Sequence, residues 1–454
     1  MFCHSWLGVE LSGANSRLST VYTFSMTLNA HNTNHKSRVS NYAGAMLELD
    51  SCVEFEPARD GECFAAVPAR PAVFLVEPRE VLAGAQPYML RTANLRERLK
   101  KLLGPPEAAS KRLNLREFAA RVRYRGAAST FELNFLHWQQ ARARWPSNYR
   151  ERARLRVPAV LKVSLTNAYP RCYATRRISA NGFYFGPFRS RRAADAFASG
   201  FLDLFKIRRC QIKIRRDPAF PGCMYSEMKM CLAPCFAGCT KQEYDAEVGR
   251  VVAFLGSGGA SLTAELERER EAASESLDFE RAAAVHRRIE KAGEALRGLP
   301  ELARRLEDLN AVILQRAVEE NSVAVFVVRA GRIEEPRMLR FAALASEPRS
   351  VEQILREWLE PAESQNPSSA KGSILQQSYR ELEDQLSLLA RWFYKKPRVG
   401  EIFFREATAR SSAAAPQDDA SAKRNSEWPY RRILRACSRL LAPEESESAT
   451  DEHR

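Results

Sequence analysis

The sequence predicts an α+β chain of several domains, and three observations carry that prediction. Its 454 residues suffice for two to four domains with a substantial buried core. Short apolar runs such as AVFLV (72–76) and SVAVFVV (322–328) stand among segments of helical period. Five of the ten cysteines fall between residues 210 and 239, inside a loop-rich stretch. The formal net charge of +15 attracts polyanions, nucleic acid first and acidic membrane second. No run of eighteen apolar residues exists, so no spanning helix and no membrane partner are expected. MFCHSWLGVELSG lacks a basic segment followed by an apolar core, so the expected location is the cytoplasm.

Residues 1 to about 60 mix Ser, Asn, His and Thr with little periodicity and are expected to be disordered, with Met46 as an alternative start. AVFLV (72–76) and PYMLR (87–91) predict two strands. NLRERLKKLLG (94–104) predicts a helix. Leu95, Leu99, Leu102 and Leu103 share one face, Asn94 caps the start and Gly104 the end, and Arg96, Arg98, Lys100 and Lys101 form the other face. VRYRG (122–126) predicts a third strand. STFELNFLHWQQARARW (129–145) predicts a helix with Phe131, Phe135 and Trp138 inward. A strand–turn region (161–188) and the helix RRAADAFASGFLDLFKI (191–207) lead into the cysteine segment. Residues 241–298 are charged and helical. Residues 308–408 mix the strands SVAVFVV and GEIFFRE with the helices VEQILREWL and LEDQLSLLARWF. SSAAAPQDDASAKRNSE (411–427) reads as a linker, and WPYRRILRACSRLL (428–441) as a basic amphipathic helix.

Cys210, Cys223, Cys231 and Cys235 are separated by twelve, seven and three residues, with Cys239 three residues beyond. Clustered thiols in a chain without an export signal suit zinc or an iron–sulfur cluster. The alternative is a set of small buried hydrophobes. The spacing does not choose the metal.

RRC…PGCMYSEMKMCLAPC (208–235), preceded by NGFYFGPFRSRRAADAF (181–197), resembles the cysteine-rich segment of the UvrC family, a subunit of the bacterial excinuclease. The resemblance implies a 4Fe–4S cluster on Cys210, Cys223, Cys231 and Cys235, with Zn²⁺ as the alternative and Cys239 as a bystander. It implies a GIY-YIG-like nuclease module over 61–150, a cysteine-rich domain over 155–240, a helical UVR hairpin over 241–298, an α/β middle unit over 299–408, and a linker with a basic helix over 409–454. By the same resemblance Tyr88 falls on the tyrosine of YIG, Arg98 on the catalytic arginine and Glu132 on the glutamate that holds Mg²⁺ (or Mn²⁺). Arg91, Arg96, Lys100 and Lys101 are expected to meet DNA.

ESLDFERAAAVHRRIEKAGEAL (275–296) resembles the UVR motif, by which UvrC meets UvrB. The matching residues are Leu277, Asp278, Phe279, Glu280, Ala282, Ala283 and Ile289. Asp278 is expected to cap a helix, Phe279 to fill the hairpin base, and the two alanines to allow close helix approach.

Two departures from the family pattern keep two functions open. Leu90 stands where the YIG glycine would be and Arg91 where its lysine would be, and Ala72 and Phe74 replace the GIY glycine and tyrosine. The family's RNase H-like and helix–hairpin–helix regions have no counterpart before Arg454. The resemblance therefore implies either an endonuclease that nicks the 3′ side of a lesion in double-stranded DNA after recruitment by a UvrB-like partner, or a catalytically inactive protein that binds DNA and UvrB on the same scaffold.

Overall fold

The computed structural model describes residues 48–80, 84–106, 111–344, 348–360, 374–405 and 428–442. The expected disorder of residues 1–47 and the expected linker at 411–427 lie outside them. Three antiparallel sheets organise the chain.

The first sheet begins with β1 (Ser51–Glu54), in a stretch expected to be disordered. It pairs with β4 (Ala119–Gly126) from Ser51 opposite Tyr124 to Glu54 opposite Arg121, so partner pairing rather than apolar patterning makes it a strand. Helix α1 (Asp60–Ala66), β2 (Ala72–Pro78), β3 (Tyr88–Thr92) and α2 (Leu95–Leu103) lie between them in sequence. The strand order is β1-β4-β2-β3. Ala72 to Val76 are all buried because both faces of β2 are covered. Ala72, Phe74 and Val76 meet α1 and α2, while Val73 and Leu75 meet α3 (Thr130–Arg144). A strand buried on both faces reads as a continuous apolar run rather than as alternation.

After α3 and the short α4 (Tyr149–Arg152), the second sheet joins β5 (Ala159–Val163), β6 (Cys172–Thr175), β7 (Phe183–Phe188) and β8 (Arg304–Arg305) in the order β6-β5-β7-β8. Its core takes in α5 (Arg191–Leu202), α7 (Lys241–Gly256), α8 (Ala260–Glu275) and α9 (Phe279–Arg297). The cysteine segment, with α6 (Met224–Glu227), spans the gap between α5 and α7.

The third sheet contains β9 (Ala311–Arg316), β10 (Ser322–Arg329), β11 (Arg332–Ile333), β12 (Arg337–Arg340) and β13 (Glu401–Phe404). Helix α10 (Phe341–Leu344) follows β12. Helices α11 (Val351–Leu359) and α13 (Tyr430–Leu441) cover one face. The other face meets α12 (Ile374–Phe393) and α3. Among the described residues no helix is long and apolar enough to cross a membrane.

Helix α3 is thus clamped between the first and third sheets. Its residues Phe131 to Trp138 are all buried. The Phe131 ring lies 5.0 Å from Phe326, edge to face, and 5.3 Å from Trp392. Ser129 caps the helix by accepting the Glu132 N–H at 3.0 Å and donates its own hydroxyl to Gln315 Oε1 at 2.5 Å. Ser129→Ala removes the cap and leaves a buried amide oxygen unpaired. The unfolding free energy should fall by about 1–3 kcal/mol. Urea denaturation measures this, and an unchanged midpoint would show that the clamp does not depend on the serine.

Candidate functional site

A cleft of about 590 Å³ opens between the first and third sheets. Arg70, Arg96, Tyr124, Arg125 and Glu132 line one wall, and Glu319, Met338 and Arg340 the other. Glu132 is in the first turn of α3, where the Ser129 cap holds it. Its Oε2 accepts the Ala128 N–H at 2.8 Å, and the Ser129 backbone N–H also bears on the carboxylate. Burial pushes its carboxyl above the usual range, against the downward pull of Ala128 and Arg125. Arg96 donates to the Val67 carbonyl at 2.9 Å and to the Ala65 carbonyl at 3.3 Å, which fixes its guanidinium at the cleft. Gly126 makes room for Arg70, since a Cβ there would meet Arg70 Nε at 3.2 Å. Arg125 is pinned by Asp50 at 3.1 Å and Arg340 by Glu319 at 2.8 Å. The cleft therefore offers guanidinium groups for a phosphate and, beside the arginine-paired Asp50 and Glu319, the Glu132 carboxylate for a hard cation.

The three residues expected to act together do not share this cleft. Glu132 lines it, but Tyr88 and Arg98 do not. Tyr88 pairs with Val76, whereas α3 follows Gly126, which pairs with Ala72. Four residues of strand separate those rows, about 13 Å. Tyr88 packs into the apolar core shared with α1 and α2. Arg98 is turned away because two helical residues span about 200° of rotation, so Arg96 and Arg98 point to opposite sides of α2. Arg98 Nε is buried without a hydrogen bond. The helical rotation that separates Arg96 from Arg98 was present in the sequence. Tyr124, inside VRYRG, is the tyrosine that the cleft does include.

The four basic residues expected on DNA also diverge. Arg96 faces the cleft, and Lys100 is exposed and paired with Glu97 at 3.0 Å. Lys101 is exposed on α2. Arg91 lies on the α3 side of the first sheet, its Nη1 3.3 Å from His137 Nδ1.

In the cysteine segment Cys210, Cys223, Cys231 and Cys235 lie close enough to act on one another's charge. Burial first, and then the other three thiols, push Cys231 up to about 11, against the Ala233 N–H that its sulfur accepts at 3.3 Å. Among the described residues no three His, Cys, Asp or Glu side chains stand close enough to hold a metal ion. The thiols share one neighbourhood without closing on a common point. Cys239 is buried in the core of the second sheet and feels Glu243 and Arg216.

Helices α8 and α9 form an antiparallel hairpin whose turn carries Leu277 and Phe279. Asp278 caps α9 as expected, accepting the Arg281 N–H at 3.0 Å. Phe279 does not fill the hairpin base. It is 69% exposed and Leu277 is 71% exposed, with Leu277 at a left-handed φ of 60°. Glu280 and Ala283 are also exposed, and Ala282 is half-buried, so the alanines do not set the helix approach. Leu262, Leu266, Val285 and Ala292 do that inside the second-sheet core, against which Ile289 packs.

His137 is 2% exposed, and its imidazole is pushed down to about 4 by burial and by the Arg91 guanidinium. Its folded pKa lies below the unfolded one, so as pH falls the unfolded chain protonates first. The stability it contributes is complete above pH 6.5, falls as pH drops toward 4, and amounts to about 3 kcal/mol across that window. Urea unfolding at neutral pH and near pH 4.5 should show native protein losing more than His137→Gln. Equal losses would place the imidazole in a proton-accepting environment instead.

Residues 159–254 match the family model for the UvrC/Cho excinuclease middle domain, and residues 260–295 match that for the UvrB/uvrC motif. Similar curated proteins include the UvrABC system protein C of Ruminiclostridium cellulolyticum, 32% identical over 175 residues, which cover 38% of this chain and 28% of that protein. The UvrABC system protein C of Carboxydothermus hydrogenoformans is 27% identical over 298 residues, covering 64% of this chain and 47% of that protein. The protein of the same name in Leptospira biflexa is 27% identical over 221 residues, covering 47% and 36%. The chain thus spans less than half the length of these relatives. No solved structure matches it. From residue 159 to residue 295 the chain is UvrC-like, a UvrC/Cho-type middle domain followed by a UvrB/UvrC motif.

Proposed function

We propose that this chain acts in nucleotide excision repair, binding damaged double-stranded DNA, docking a UvrB-like partner and nicking the DNA on the 3′ side of the lesion. The observation that carries the reading is the hairpin tip. Leu277 and Phe279 are both more than two-thirds exposed, although nothing in the fold needs large apolar side chains there. They sit in the segment that matches the UvrB/UvrC motif. An apolar tip of this kind supports docking to a groove on a partner protein.

The nick belongs to the Glu132 cleft, on a GIY-YIG-like module. β2, β3, α2, β4 and α3 follow one another in that order, which supports the reading. The roles expected of Arg98 and Tyr88 pass in this geometry to Arg96 and Tyr124. Arg70 and Arg96 would hold the scissile phosphate and offset its developing charge. Glu132 would hold Mg²⁺ or Mn²⁺, and such an ion, when bound, would stabilise the leaving oxygen. A second reading, a DNA- and UvrB-binding scaffold without nuclease chemistry, draws on the positions of Tyr88 and Arg98 outside the cleft.

Nicking of a lesion-bearing duplex, with Mg²⁺ and the damage-loading partners present, separates the two. Glu132→Ala should abolish a 3′ nick made by native protein, and Leu277→Ala with Phe279→Ala should lose partner docking without a change in melting temperature. If folded native protein docks its partner and binds DNA but makes no nick, the scaffold reading stands.

The cysteine segment would hold a 4Fe–4S cluster, or Zn²⁺ in its place, on Cys210, Cys223, Cys231 and Cys235. Thiolates are the donors that either group takes, and these four sulfurs would have to draw together to share one. Elemental analysis should find bound iron or zinc in native protein and at least a several-fold loss in Cys231→Ser, with Cys239→Ser unchanged. Metal retained at native levels in Cys231→Ser would remove that thiol from the set.

A further inference from the structure

We propose that Arg91, Arg154, Arg156 and Arg391 form a second contact surface for the phosphodiester backbone of DNA, apart from the Glu132 cleft. The inference rests on the DNA-repair reading and adds the place where duplex outside the cleft is held.

Three elements bring these residues together. Arg91 is on β3, the edge strand of the first sheet. Arg154 and Arg156 are on the loop after α4, and Arg391 is near the end of α12. The loop is fastened to α12 twice. The Arg156 N–H donates to Ser387 Oγ at 2.9 Å, one helical turn before Arg391, and the Arg391 guanidinium donates to the Arg154 carbonyl. Arg91 is held from the other side by the neutral His137 ring.

No carboxylate answers this charge among the described residues. Arg91 feels the positive charge of Arg391 and Arg154, and Arg391 feels that of Arg156. The acidic groups of α12 are already engaged, Glu381 with Arg142 at 2.7 Å, and Glu383 and Asp384 with Arg150 at 3.1 and 2.7 Å. Other arginines of the fold do meet a carboxylate, as Arg116 meets Asp60 at 2.6 Å and Arg439 meets Glu401 at 2.7 Å. Gathering like charges without a counter-charge is unfavourable unless a partner supplies one. Arg154 and Arg156 are exposed, and the cleft does not reach any of the four. An open row of guanidinium groups fits an extended polyanion better than a small enclosed anion.

Neither Arg154 nor Arg156 makes a side-chain hydrogen bond or ion pair among the described residues, so both can be replaced without breaking the fold. Fluorescence anisotropy with a labelled duplex, across a salt series, would compare native protein with Arg154→Glu/Arg156→Glu. Arg154→Gln/Arg156→Gln serves if the reversal lowers the melting temperature. Arg431→Glu/Arg435→Glu, on the exposed side of α13, is the control. The paired substitution should weaken binding by about tenfold or more and reduce the salt slope by about one to two, with the control near native. Unchanged affinity and slope overturn the proposal, including the case in which docking of the UvrB-like partner weakens instead. Native protein that binds no duplex overturns the DNA-repair reading along with it, so the two failures are distinct.

Discussion

The first two turns of helix α3, Phe131 to Trp138, have no exposed side, and much of the structure follows from that constraint. A helix segment buried on every side must be covered on every side. The first sheet covers one side with Val73 and Leu75, and the third sheet and α12 cover the other with Phe326, Leu386 and Trp392. Polar groups at the start of this segment find their partners inside. Glu132 takes the Ala128 N–H, His137 takes Arg91, and the Ser129 cap reaches across to Gln315 of β9. The candidate site is a consequence of this packing, since the cleft lies where the two sheets diverge around the start of the helix.

A polar seam continues the clamp beyond the end of α3. Tyr149 donates to Asp384 at 2.6 Å, and Arg150 meets both Glu383 and Asp384. Asp384 is fully buried, and a buried ion pair contributes little net stability while it strongly penalises any other register. The seam fixes how α12 lies along α3 and α4. It also engages the carboxylates of α12, which is why no carboxylate among the described residues pairs with Arg391, two turns further on.

The regular elements were legible wherever one physical signal sufficed. AVFLV gave a strand because a doubly covered strand is apolar throughout. The starts of α2, α3 and α9 were legible from Asn94, Ser129 and Asp278, each of which accepts the N–H three residues on. β1 was not, because SCVE becomes a strand only through β4, some seventy residues away in sequence. The choice between Arg96 and Arg98 turned on helix rotation, which a stretch of alternating basic residues does not reveal by composition. Phe279 was misplaced for a different reason. Packing logic sends a large aromatic inward, whereas this one is held outward on a tight turn, and that conflict between local rule and position is what functional sites tend to show.

The hairpin tip and the Glu132 cleft rest on different apolar clusters. The hairpin is anchored through Leu262, Leu266, Val285 and Ala292 in the second-sheet core, so its tip can engage or lose a partner without any change in the packing below it. The Glu132 cleft depends on the first and third sheets, whose shared core also takes in Val160 and Tyr184 of the second sheet. A change at exposed Leu277 or Phe279 therefore leaves the packing below it untouched, whereas a change at Val160 or Tyr184 of the second sheet reaches the core on which Glu132 stands.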